Sequence, residues 1–303
     1  MGFGDFESIC TNSPIPLCSV VGHITAIVGS TGIEADCYAR NIELANTIIF
    51  QGAASFAHIA ALVMTVIMIL HVRSKFTAVG TIPFLFPCPL ISKLTMFLKI
   101  GRKEITAFFY IYMLLSFASL IIDSGVIPPG SRAYPYFAAV QNGLTSALCV
   151  CLLINGFVGF QLYEDGTNIS VWLLRSITFA MFVITGLVSL ATFKGWAGLG
   201  PTNTIGLFVV LYLVSAIALA IYVVMQVILV VNTLEDRWPL GDIAFGLFFF
   251  VIGQVILYVF SNTICNAVQH YLDGLFFATV CNLLAVMMVY KVCSFPLWNL
   301  SLC

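Results

Sequence analysis

The sequence predicts an all-α fold, a polytopic membrane helical bundle with seven transmembrane helices, N-out and C-in. Three observations carry that prediction. Seven separate apolar stretches reach membrane-spanning length; a hydrocarbon core of about 30 Å takes about 20 apolar residues as helix. The chain is 61% hydrophobic and only 8% charged, against about 25% charged in soluble domains, and its mean hydropathy is +1.07. The basic residues, finally, gather at alternate ends of the stretches. A net charge of −1 offers no basic field to nucleic acid, so no nucleic-acid partner is expected.

Residues 1–46 read as a lumenal N-terminal segment of mixed character, ahead of a transmembrane domain over 47–291. The segment lacks the basic start and apolar core of a cleavable signal peptide, so the first span is expected to act as its own insertion signal. That span covers about 48–70 and is closed by His71, Arg73 and Lys75. The second covers about 105–122, where Asp123, Gly125, Pro128, Pro129 and Gly130 end it, as Gly and Pro clusters do. The third covers about 137–160 and the fourth about 171–193, with Trp196 beyond it as an interfacial anchor. The fifth covers about 204–231, the sixth about 243–260 and the seventh about 275–290. Polar loops are expected at 232–241 and 262–273.

Orientation follows from the basic residues near helix ends. With the N-terminus outside, Arg73, Lys75, Arg102, Lys103, Arg175, Arg237 and Lys291 fall on the cytosolic side. Arg40, Arg132 and Lys194 fall on the other.

This topology puts Cys10, Cys18, Cys37 and Cys265 on the oxidising side of the membrane. At least one disulfide is expected among them, in any of three pairings that sequence does not choose between. Cys149, Cys151 and Cys281 lie within spans and read as packing residues. His58, Gln141, Asn142, Asn155, Gln226, Gln254 and Asn282 sit at membrane depth. Such side chains face other helices rather than lipid. They read either as bonds within the bundle or as contacts for another protein's transmembrane helices.

No catalytic set, cofactor site or metal site is expected. The chain lacks His-Glu-x-x-His, Gly-x-Ser-x-Gly and a phosphate-binding glycine loop. A proton or ion path needs ionisable groups in mid-membrane, and only His58 qualifies. Seven spans also suit a receptor or transporter of unknown ligand. A retinal Schiff base needs a lysine inside the bundle, and the only lysine near the seventh span is Lys291, at its end. Glu235-Asp236-Arg237-Trp238 form a candidate cytosolic loop motif, placed after the fifth span rather than the third, where receptors carry an acidic-Arg motif.

Longer motifs point further. Met1-Gly2-Phe3-Gly4-Asp5-Phe6, Ile9-Cys10 and Pro14-Ile15-Pro16-Leu17-Cys18 open the chain. Gln51-Gly52-Ala53 leads into His58-Ile59-Ala60, and Arg73-Ser74-Lys75-Phe76-Thr77-Ala78-Val79-Gly80 follows. Then come Gly101-Arg102-Lys103-Glu104, Gln141-Asn142-Gly143 and Asn155-Gly156-Phe157-Val158-Gly159-Phe160-Gln161. Leu234-Glu235-Asp236-Arg237-Trp238-Pro239-Leu240-Gly241-Asp242 and His270-Tyr271-Leu272-Asp273-Gly274, on to Lys291, complete the set. In these motifs the chain resembles the fungal chitin synthase export chaperone family over 1–80 and 101–291. The resemblance implies a non-enzymatic, multi-pass endoplasmic reticulum protein. Its client would be a chitin synthase, which it helps to fold and leave that compartment, and its other contacts the lipid bilayer and export machinery. Cell-wall chitin would depend on it indirectly.

Two segments depart from that pattern, an atypical insert at 81–101 and an atypical tail at 292–303. Without the insert, Thr77-Ala78-Val79-Gly80 runs straight into Arg102-Lys103-Glu104. The Gly80 codon can supply a splice donor, Leu94-Thr95 a branch site and Ile100-Gly101 an acceptor, and the frame is kept. Val292-Cys293 can encode a donor-like start. Both segments therefore read as retained introns, with a genuine lineage-specific loop and short tail as the alternative. Pro83, Pro87 and Pro89 disfavour a helix interior, so the insert is expected to form a cytosolic-face loop.

Overall fold

The computed structural model describes residue 4 and residues 6–22, 32–44, 47–81, 89–159, 168–196, 198–233 and 238–294, with backbone alone at 44, 47, 75–104, 158–159, 168–170, 233 and 293–294. Among the described residues, seven helices are long and apolar enough to cross a membrane: Gly52–Ser74, Ile105–Asp123, Tyr134–Phe157, Val171–Lys194, Ile205–Asn232, Trp238–Ala267 and Gly274–Val292. We call them the first to seventh spans. They are apolar on nearly every face, as lipid-embedded helices must be.

Several boundaries differ from the sequence reading. Residues 48 and 49 do not start the first span. Thr47–Ile49 is a strand paired antiparallel with Ile42–Leu44, Ile42 opposite Ile49. Thr and Ile are β-branched and favour the extended form, and Gln51 at φ 44 turns the chain into the helix. The sixth span is longer at both ends. Trp238 and Pro239 stand in its first turn, where proline is tolerated, and helix continues to Ala267 through residues taken for a polar loop. Asp123 is the last residue of the second helix rather than part of the break; Gly125 at φ +74 makes the exit. The expected loop at 81–101 is helical from Pro89 onward, in a helix that runs unbroken to Asp123. Pro89 sits at the helix's first position, and Leu90 to Ile100 hold no breaker. Residues 82–88 lie outside the described residues. Two π-helical turns, Val209–Leu213 and Ile256–Phe260, interrupt the fifth and sixth spans.

The third span sits at the centre. It packs against the second, fourth and fifth, while the seventh packs against the sixth and first. Its membrane window is 56% buried, against 11% for the sixth. Small residues let two helix pairs approach closely. A Cβ added at Gly143 would lie 2.8 Å from the Phe182 carbonyl oxygen, and one added at Gly253 would lie 2.8 Å from the Cys281 Cβ.

The N-terminal segment is a plug rather than a free tail. A short helix, Glu7–Asn12, and a 3-10 turn, Pro16–Ser19, bury Phe6, Cys10, Leu17, Cys18 and Val21. These pack on Ile122, Tyr134, Phe193 and Leu207, at one end of the second to fifth spans. The Tyr134 hydroxyl donates to the Pro16 carbonyl at 2.9 Å, and the Thr204 hydroxyl to the Gly4 carbonyl at 2.7 Å. A second core lies toward the opposite end, around Phe108, Phe109, Cys151 and Leu174.

Candidate functional site

The polar residues within the spans mostly pair with one another. Gln141 Nε2 donates to Ser119 Oγ at 2.9 Å, joining the third span to the second. One residue on, Asn142 donates to Ser189 Oγ at 3.4 Å, joining the third to the fourth. The Ser215 and Ser146 hydroxyls lie 3.4 Å apart between the fifth and third. Gln254 Nε2 donates to Asn282 Oδ1 at 3.4 Å between the sixth and seventh. Asn155 turns back to its own helix, donating to the Cys151 carbonyl at 2.8 Å. Half-buried Gln226 faces Gly156 of the third span. The Tyr258 hydroxyl donates to Tyr212 at 3.2 Å, one tyrosine from each π-helical turn. Bonds of this kind contribute about 0.6 kcal/mol each on average in a membrane bundle, so their effect is to fix register among helices.

His58 meets a partner that the sequence reading did not find. Its Nε2 lies 2.9 Å from Asp123 Oδ2, and both residues are buried. Close to this pair in field, if not in contact, is Asp273, fully buried just before the seventh span. Its Oδ1 accepts the Phe276 N–H at 3.0 Å, capping the seventh helix, while Oδ2 has no partner among the described residues. Burial pushes the Asp273 carboxyl above the usual carboxylate range; the Phe276 N–H pulls the other way and the Asp123 charge adds to the rise.

Outside the spans, Cys10 is bonded to Cys18, and Cys37 to Cys265. The second bond straps the N-terminal segment to the last turns of the sixth span. Around it, the Arg40 N–H donates to the His270 carbonyl at 2.7 Å, and Asn262 to Asp36 Oδ2 at 3.1 Å. The Arg40 guanidinium sits over the Tyr271 ring at 4.9 Å. Cys37, Cys265 and His270 bring three donor atoms within 4.8 Å of one another. Metal ligation takes thiolates, and here the two sulfurs are bonded to each other.

At the far end, Lys291 reaches Asp242 at 2.7 Å between the seventh and sixth spans, and His71 bonds the Tyr290 hydroxyl between the first and seventh. Exposed Trp238 opens the sixth span on this side. Glu235, Asp236 and Arg237 lie outside the described residues. Cys151 is buried, and Cys149 and Cys281 are half-buried free thiols.

This is a braced bundle with a strapped, plugged end, and comparison with known proteins says what kind. The family model for chitin synthase export chaperones matches residues 2–99 and 90–295. The chain belongs to that family. A chitin synthase export chaperone of Neurospora crassa is 68% identical over 289 residues, covering 95% of this chain and 75% of the relative. One from Aspergillus oryzae is 66% identical over 291 residues, 96% of this chain and 82% of the relative. One from Chaetomium globosum is 68% identical over 291 residues, 96% and 81% respectively. No solved structure matches the chain. The export chaperone family is not an enzyme family.

The sequence reading of this export chaperone missed Asp123, Ser119, Ser189, Asp273 and the Asp242–Lys291 pair. For Asp123 one signal was available: an acid directly abutting an apolar run.

Proposed function

We propose that this chain is a non-enzymatic membrane chaperone required for a chitin synthase to fold in, and leave, the endoplasmic reticulum. Cell-wall chitin synthesis depends on it through that client. The observation that carries this reading is similarity over 95% of the chain or more to proteins named for that activity. The architecture fits it. Most of the intramembrane polar groups bond inside the bundle, which leaves a rigid, largely apolar outer surface for lipid and for a multi-spanning client. The N-terminus faces the lumen and the C-terminus the cytosol: the basic residues favour that orientation, and two disulfides on the plugged end suit an oxidising compartment. Glu235, Asp236, Arg237 and Trp238 then face the cytosol, where export machinery operates.

Residues 81–101 and 292–303 are retained-intron products in this reading. The family match divides into two stretches that meet within 90–99, which supports an interruption there.

Fractionation tests the function. In a fungal cell lacking the chaperone, chitin synthase should stay in the endoplasmic reticulum and leave it when the chaperone is restored. Unchanged synthase location, with ligand-dependent signalling or flux instead, would mean a receptor or transporter.

A further inference from the structure

We propose that the cleft between the second, third and fourth spans binds an anionic glycerophospholipid, its phosphate between Arg73 and Arg175. A cavity of about 860 Å³ lies there, within the roughly 300–1,000 Å³ of small-molecule sites. Its remaining walls are apolar: Ile111 and exposed Leu114 from the second span, Leu144 and Ala147 from the third, exposed Phe179 and half-buried Phe182 from the fourth. Arg73, at the end of the first span, and Arg175, near the start of the fourth, line the same cavity at the headgroup end. Both are exposed, and neither has an acidic partner among the described residues. Arg73 is held over the Tyr110 ring, its guanidinium carbon 5.6 Å from the centroid.

The profile of the cleft decides between occupants. Two cations at the interface with an apolar trough behind them match a headgroup and its acyl chain. Basic pockets between transmembrane helices on the cytosolic side bind acidic headgroups in this way. A client helix is about 10 Å wide with its side chains and about 30 Å long, far larger than the cavity. The site goes beyond chaperone activity, and lipid binding at it is measured without the synthase.

The test uses the full-length protein, purified in detergent and stripped of lipid. Phosphatidylserine and phosphatidylcholine of matched acyl chains are offered together, and bound lipid is counted by native mass spectrometry. Phosphatidylserine should be retained in preference by on the order of 30-fold, about fivefold from each arginine. The preference should vanish in the R73Q/R175Q double variant. Ala107→Phe, which fills the trough and leaves both arginines, should abolish retention of either lipid. Thermal unfolding of each variant confirms that it folds. Equal retention of both lipids by the unaltered protein would overturn the proposal, as would a preference that survives R73Q/R175Q. Displacement of phosphatidylserine by inorganic phosphate alone would also overturn it. So would a photocrosslinker at Phe179 that captures the synthase in cells and leaves lipid unlabelled.

Discussion

His58 Nε2 and Asp123 Oδ2 lie 2.9 Å apart and bridge the first and second spans at the plugged end of the bundle. Removing one partner leaves a buried polar group uncompensated, which costs about 3–5 kcal/mol when the survivor is charged. His58→Ala and Asp123→Ala should each lower thermal stability in detergent. Their double-mutant cycle should show a coupling of about 1–3 kcal/mol. Additive losses would mean that the contact holds nothing together.

The pairing of the four bonded cysteines is testable by elimination. In native membranes without reductant, none of Cys10, Cys18, Cys37 and Cys265 should take up maleimide. Cys37→Ser should expose Cys265 alone, and Cys10→Ser should expose Cys18 alone. Any other newly labelled residue would redraw the connectivity.

Asp273 gives an unusual pH response. Its folded-state pKa is raised, chiefly by burial. The folded state therefore favours the protonated carboxyl, and that stability is full below the unfolded value of about 3.9. It is lost as pH rises through the folded value. Asp273→Asn keeps an oxygen for the Phe276 N–H and removes the titration. The variant should gain thermal stability over the parent at neutral pH, and the gain should shrink toward about pH 4. A variant less stable than the parent at neutral pH would mean that the ionised carboxylate is what the fold requires.

Gly253 faces the Cys281 Cβ so closely that a side chain there forces the sixth and seventh spans apart. Gly253→Val should reduce the amount of folded protein, by a cost typical of overpacking, about 1–3 kcal/mol. Cys281→Gly in the same chain removes the opposing Cβ and should recover part of the loss. Failure to recover would place the strain elsewhere.

Deleting residues 81–101 and restoring a polar tail after Lys291 should increase synthase export in a chaperone-null fungal cell. The added apolar segment and apolar end favour retention or aggregation. Equal rescue by both forms would show that the two segments are tolerated. Transcripts without a spliced message would remove the gene-structure argument.

The number of spans was legible because lipid imposes a length and a composition that seven segments obey separately. Helix ends were less so. Asp123 and Trp238 look like loop residues by polarity, yet each finishes or starts a helix, because a helix terminus tolerates what its middle does not. The polar groups at Gln141, Asn142 and Gln254 could be placed at membrane depth, but their partners Ser119, Ser189 and Asn282 depend on rotation and tilt. Neither quantity is written in hydropathy. The plug was hidden for another reason: Phe6, Cys10, Leu17, Cys18 and Val21 are buried against four helix ends, and no periodicity within so short a segment announces that.

The Cys37–Cys265 bond spans 228 positions of sequence. At about 5–20 residues per second of synthesis, Cys37 waits roughly 10–45 s for its partner to be made. Until the sixth span has been threaded, the only cysteines beside it among the four are Cys10 and Cys18. Their own bond closes over eight positions and can form as soon as the segment emerges. The short bond thus takes both competitors out of play before the distant partner arrives. The long one then records that six spans have been inserted in the right order, so a molecule with Cys37 still reduced carries a chemical mark of incomplete assembly.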